Sequence, residues 1–207
     1  MIQGFIGTPG CGKTTMLSAI AYKEFKSREK GKGRYKYIYS NFYLKGAYKI
    51  DINDLGKYYL HDCLILLDEI TLDVDSRDYK NFSQRLKEFF ILHRHFNIDI
   101  VYATQDPSRV DKTIRNITYS LWYVSRPVLP FFRRFVRANR IFRNLNINEY
   151  TSELTLGYRF SKFLERLFVT GRCNIIIYSP KYYDLFDSFD DYGNSDKPDF
   201  INNSWQA

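Results

Sequence analysis

Residues 7–14 read Gly7-Thr8-Pro9-Gly10-Cys11-Gly12-Lys13-Thr14, the spacing GxxxxGKT directly after the apolar stretch Ile2-Gln3-Gly4-Phe5-Ile6. A strand that delivers the chain to a glycine-rich bend, followed by a helix, aims backbone N–H groups and the positive helix end at a phosphate. Glycine is required where a side chain would block that approach. Lys13 would reach the β- and γ-phosphates as a mobile point charge, the Thr14 hydroxyl would ligate Mg²⁺, and Thr15 closes the binding set of residues 7–15. Leu17, Ile20, Ala21 and Phe25 continue at helical spacing, which supplies the context the motif needs.

Two further positions complete a hydrolytic set. The run Cys63-Leu64-Ile65-Leu66-Leu67 ends in Asp68-Glu69, the pattern of a strand buried on both faces that carries carboxylates to its end. Asp68 would face the hydration shell of Mg²⁺, and Glu69 would orient or deprotonate a water that attacks the γ-phosphate. A second apolar run, 98–104, stops at Gln105, which is placed as a γ-phosphate sensor or, alternatively, as a cap for the turn Asp106-Pro107-Ser108. Arg109 and Arg115 follow in a stretch read as a short helix, 109–116. Either Arg109 or Arg115 is expected to act as a finger supplied to a neighbouring subunit, with Arg115 placed in the catalytic set, against the competing reading of surface salt bridges for both arginines.

These side chains need a scaffold that brings several strand ends together. The chain has 207 residues, 44% of them hydrophobic, enough for one sizeable core and too few for two generous domains. Strands are expected at 35–39, 63–67, 98–104, 121–124 and 174–178, with a short strand or turn near 47–50. Helices are expected after residue 13, over 51–59 with Asp51 or Asn53 as cap, and over 81–96. Alternating apolar strands and helices predict an α/β fold: a P-loop NTPase with a RecA-like, mostly parallel sheet flanked by helices and a β-rich or mixed C-terminal extension. The domain is drawn as 1–183, with a basic insertion at about 126–145 and an acidic, flexible tail at 184–207.

Composition narrows the partners. A net charge of +8 favours an acidic partner, nucleic acid or an anionic membrane surface. The stretch 126–143 holds six arginines and no acid, with Phe131, Phe132, Phe135 and Phe142 among them. That composition suits a phosphate backbone with stacked bases, an anionic lipid surface, a solvated hairpin or an oligomer contact. The loop 26–34 is basic and expected to be solvated. The three cysteines have neither disulfide nor zinc spacing, and His93 and His95 have no partner spaced for a metal. Met1 leads straight into the first strand, which leaves no room for a signal peptide, and no apolar run reaches the roughly eighteen residues of a membrane span. The expected location is cytoplasmic, with peripheral contact at the inner face of a membrane.

Taken together, GTPGCGKT, Tyr39-Ser40-Asn41, LLDE at 66–69, HRHFNIDIVYATQ at 93–105 and DKTIRN at 111–116 resemble the zonula occludens toxin family. These are the filamentous-phage morphogenesis ATPases, within the wider FtsK/HerA group of DNA-pumping and packaging motors. The resemblance runs from residue 1 to about 183. It implies that Lys13 and Thr14 bind nucleotide, that Asp68 and Glu69 serve metal and water, and that Gln105 is the sensor. It also implies ATP and Mg²⁺, a homo-oligomeric ring, and DNA packaging, extrusion or virion assembly. Family members typically continue into a membrane span and an outer domain, and neither is expected from these 207 residues. A small-molecule or nucleotide kinase and a nucleotide-gated assembly scaffold are the alternatives.

Overall fold

The computed structural model describes residues 1–70, 79–127, 130–147, 154–160 and 173–187; the side chains of 79–83, 143–147, 154–156 and 187 lie outside the description. Cys63–Leu67 (β5) and Asp99–Thr104 (β6) are buried at every position. Apolar residues without alternation can be stable only where both sheet faces are covered, and here they are. Around these two strands lie Ile2–Ile6 (β1), Tyr37–Ser40 (β2), Tyr48–Lys49 (β4) and Ser120–Ser125 (β7), all parallel. The order β7-β1-β6-β5-β2-β4 makes a RecA-like core in which β6 separates the glycine-rich strand from the carboxylate strand. Phe135–Ile147 (β8), Leu154–Phe160 (β9) and Asn174–Tyr178 (β10) extend it as an antiparallel set beyond β7. The anticipated α/β sheet with a β-rich extension is what the chain forms.

Two cores follow from the alternation of side chains. On one face Lys13–Glu29 (α1) sets Met16, Leu17 and Ala21 against Phe5, Leu64, Leu66, Val101 and Ala103. On the other, Leu86, Phe89 and Phe90 of Tyr79–Leu92 (α2) and Ile114 of Lys112–Ile117 (α3) cover Ile65, Leu67, Ile100 and Tyr102. Each fully buried Leu, Ile or Phe contributes about 1.5–3 kcal/mol. Asp111 caps α3 by accepting from Thr113 N at 2.7 Å.

Several expectations are corrected. The helix expected at 51–59 is one 3₁₀ turn, Ile52–Asp54; Asp51 and Asp54 form a capping box, and Gly56 at φ +82° then carries the chain away. The helix expected at 81–96 stops at Leu92, because His93 turns inward and Asn97 adopts φ +54° on the way to β6. The segment expected as one helix over 109–116 divides into a 3₁₀ turn, Pro107–Arg109, and α3, with the Asp111 cap between them. The basic stretch contains β8, in which Val136 and Ala138 are buried while Arg137 and Arg140 are half-buried. At the start of the expected tail, Phe186–Asp187 (β11) pairs antiparallel with Tyr43–Leu44 (β3). The remainder of that tail, 188–207, lies outside the described residues.

Candidate nucleotide-binding site

The turn after β1 is fixed from three sides. Gly7 N donates to Thr104 O of β6 at 3.3 Å, and Cys11 N donates to Thr8 O at 3.3 Å. A Cβ at Gly7 would stand 2.6 Å from both Cys11 Sγ and Val124 O, so the loop can seat here only without a side chain. Gly12, at φ +101°, caps α1, and a Cβ there would meet Val136 Cγ2 of β8 at 2.5 Å. The first turn of α1 holds no acid, which leaves its positive end free for an anion. Lys13 is only 7% exposed, and its Nζ donates to Gly7 O at 2.9 Å and Thr8 O at 3.2 Å. Thr8, Pro9 and Gly10 form the exposed rim, while Cys11 and Thr15 are buried beneath it. Burial pushes the Cys11 thiol up, against the field of Lys13.

Asp68 stands across from this loop. Thr14 Oγ1 donates to Asp68 Oδ2, bringing together the hydroxyl and the carboxylate chosen as metal ligands. Burial raises the Asp68 carboxyl above its ordinary value, opposed by the Thr14 hydrogen bond and the Lys13 charge. A carboxylate that is costly to ionise and sits beside a hydroxyl oxygen fits Mg²⁺, which uses one or two protein oxygens and fills the rest of its shell with phosphate and water. Among the described residues no cluster of three His, Cys, Asp or Glu side chains is arranged for a metal.

Glu69 is exposed and holds φ +49°, an uncommon conformation for a residue with a side chain. Gln105 N donates to Glu69 Oε1 at 3.5 Å, so the end of β6 meets Glu69 through its main chain. The Gln105 side chain is exposed at that edge. Arg115 is on α3. Its charge, after the hydrogen bonds from Ser108 and the field of Arg109, helps hold Asp106 below the usual carboxylate range. Within one chain the fold gathers Lys13, Thr14, Asp68, Glu69 and Gln105.

Asn41 is the participant that the residue pattern did not assign. Asp68 N donates to its Oδ1 at 2.6 Å, and its Nδ2 donates to Asp68 O at 2.8 Å. This reciprocal clasp, from the residue just after β2, holds the N–H and the C=O of Asp68. A polar residue directly after a buried apolar strand was the available signal. Asn41→Ala is expected to lower the turnover number ten- to a hundredfold with little change in KM for ATP, measured by steady-state hydrolysis, because it loosens Asp68 without touching the phosphate loop.

Residues 44–141 match the family model for Zonular occludens toxin (Zot). This chain is Zot-like across that span. The matched stretch holds Asp68, Glu69, Gln105 and Arg115 and begins after the glycine-rich loop. The sequence shows no significant match among curated proteins. Of solved structures, the N-terminal domain of zonular occludens toxin from Neisseria meningitidis aligns at 16% identity over 90% of this chain and 98% of that one, with a TM-score of 0.49. The FIGL-1 AAA domain in complex with ADP aligns at 17% identity over 64% of this chain and 45% of that one, with a TM-score of 0.41. The Zot-like region thus spans the parallel strands from β4 to β7 and the greater part of β8.

Proposed function

We propose that this Zot-like chain hydrolyses ATP to ADP and phosphate and uses the cycle to move or package DNA during phage or mobile-element assembly, working as a homo-oligomeric ring. The observation that carries the hydrolytic part is the Thr14–Asp68 contact with Glu69 next in the chain. The glycine-rich loop and the α1 end bind the β-phosphate through backbone N–H groups. Lys13 exchanges its two loop carbonyls for phosphate oxygens and offsets the charge that develops on the transferred group. Thr14 and Asp68 would hold Mg²⁺, which would supply charge neutralisation when bound. Glu69 lies one residue beyond the metal position and orients a water for in-line attack, taking its proton.

The trans arginine belongs to the ring reading. Arg115 is on a surface helix, where a neighbouring subunit's site could meet it, and its charge already faces Asp106 in its own chain. Peripheral membrane contact is part of the same proposal; among the described residues, no helix is long and apolar enough to cross a bilayer. The test is phosphate release from ATP by the purified protein, with no acceptor added, in the absence and presence of single- or double-stranded DNA, alongside a mass measurement of the particle. Acceptor-free hydrolysis stimulated severalfold by DNA in an oligomer is the expected result. Binding without hydrolysis under every condition would overturn it.

A further inference from the structure

The order of the sheet fixes which way a bound nucleotide lies. From the glycine-rich loop at the end of β1, β6 and then β5 lie to one side, and β7 and then β8 lie to the other. Glu69 follows β5 and Gln105 follows β6, so the γ-phosphate that they would attend points toward those strands. The α-phosphate and the nucleoside must then leave the loop on the β7 side. None of Lys13, Thr14, Asp68, Glu69 and Gln105 comes from that side.

Strand β7 brings a cation there. It runs parallel to β1, with Tyr123 level with Ile6, so the two strands end at the same edge of the sheet. A Cβ at Gly7 would stand 2.6 Å from Val124 O, which sets the end of β7 against the first residue of the loop. Across the hairpin Val124 pairs with Ala138 and Ser125 with Arg137, and the same register carried one residue further sets Arg126 level with Val136. Val136 is the residue that a Cβ on Gly12 would strike at 2.5 Å. Arg126 is thus tied to both ends of the loop, two residues beyond the contact at Gly7 and level with the contact at Gly12. Cys11, between those glycines, feels its charge: burial raises the thiol, and the fields of Lys13 and, more weakly, Arg126 oppose it.

Arg126 is also uncommitted. It is exposed, and among the described residues no carboxylate pairs with it. Neither 7–12 nor 126–134 contains an acid. A guanidinium beside a phosphate loop, with no acid to answer it, offers planar paired donors that match phosphate oxygens.

We propose that Arg126 binds the α-phosphate of the nucleotide held in its own chain's loop. Neighbouring strands lie about 4.8 Å apart, so the end of β7 is one strand spacing from the loop, within reach of an arginine side chain. The α-phosphate is common to ATP and ADP and takes no part in the transfer. Arg126 therefore stabilises ground state and transition state alike and serves binding, while Lys13 and Glu69 serve the chemistry. The inference rests on the ATP-binding reading of the loop and adds the residue that holds the far end of the phosphate chain.

The test compares Arg126→Gln and Arg126→Lys with the unaltered full chain, by steady-state phosphate release and by calorimetric titration with ATP and ADP. Arg126→Gln is expected to raise KM for ATP and Kd for ADP by the same factor, about tenfold, with the turnover number kept within about twofold. Arg126→Lys keeps a charge without the paired donors and should fall between the two proteins. A second measurement separates contact from a disturbed loop. ATP with sulfur in place of one α-phosphate oxygen exists as two diastereomers, and the unaltered protein should bind one several-fold more tightly, a preference that Arg126→Gln should abolish. A preference that survives in Arg126→Gln, or is missing from the unaltered protein, would overturn the proposal. So would a loss confined to turnover, which would place the arginine on the transferred phosphate, or a loss confined to particle mass or DNA stimulation. In each of those cases the unaltered protein still binds ATP; if it binds none, the reading of the loop fails first and this inference with it.

Discussion

Lys13→Ala is expected to lower ATP turnover by about a hundred- to a thousandfold and to weaken ATP binding by about ten- to a hundredfold. The ammonium is buried at the mouth of α1 and bonded only to Gly7 O and Thr8 O, neutral acceptors that a phosphate's charged oxygens outcompete. No other cation occupies the loop itself, because residues 7–12 contain none. The charge that builds on the transferred phosphoryl group in the transition state would lose its nearest counter-charge, and single donors of this kind are worth about a hundred- to a thousandfold each. Lys13→Arg should not rescue, since a planar guanidinium cannot occupy the space between Gly7 O and Thr8 O as a point charge does. Steady-state phosphate release and titration with a fluorescent ATP analogue measure the two effects. Retention of turnover in Lys13→Ala would remove the assignment of the loop.

Glu69→Gln should act differently, lowering hydrolysis by about a hundred- to ten-thousandfold while leaving ATP and Mg²⁺ binding near normal. The residue is exposed; it hydrogen-bonds its neighbour Asp68, whose Oδ1 accepts from Glu69 N at 3.1 Å, and the Gln105 main chain. An amide of the same size can still accept from Gln105 N and cannot take a proton from water. The variant should therefore accumulate as an ATP complex, visible in single-turnover quench experiments as bound, uncleaved nucleotide. Hydrolysis at the unaltered rate would mean that water is activated elsewhere.

The parts of this site that sequence makes visible are those where one residue type has one physical use. Gly7 and Gly12 admit no Cβ, and Cys63–Leu67 is apolar throughout because both faces are covered. The carboxylate after such a strand could be placed from pattern alone. Asn41 could not be assigned, since an amide after a strand serves caps, turns and clasps alike, and only the meeting of β2 with β5 reveals which. The 126–143 stretch resisted a periodic reading for a similar reason. In β8 the buried face needs only Val136 and Ala138 within the α1-side core, so a short alternation was masked by arginines and exposed aromatics on both sides of it. The helix expected at 51–59 failed because capping residues specify where a helix begins and say nothing of how long it runs.

The contact between Gly12 and Val136 has a consequence for how the sequence can drift. A phosphate loop tolerates nothing but glycine at position 12, so any conflict between the two must be resolved by the strand. Among relatives that keep this arrangement, position 136 should accept only side chains of valine size or smaller, while its exposed neighbours Arg133 and Arg134 vary freely. A single small residue in an otherwise permissive strand would then be the mark by which the same joint between glycine-rich loop and basic extension can be found in sequences too diverged to align by eye.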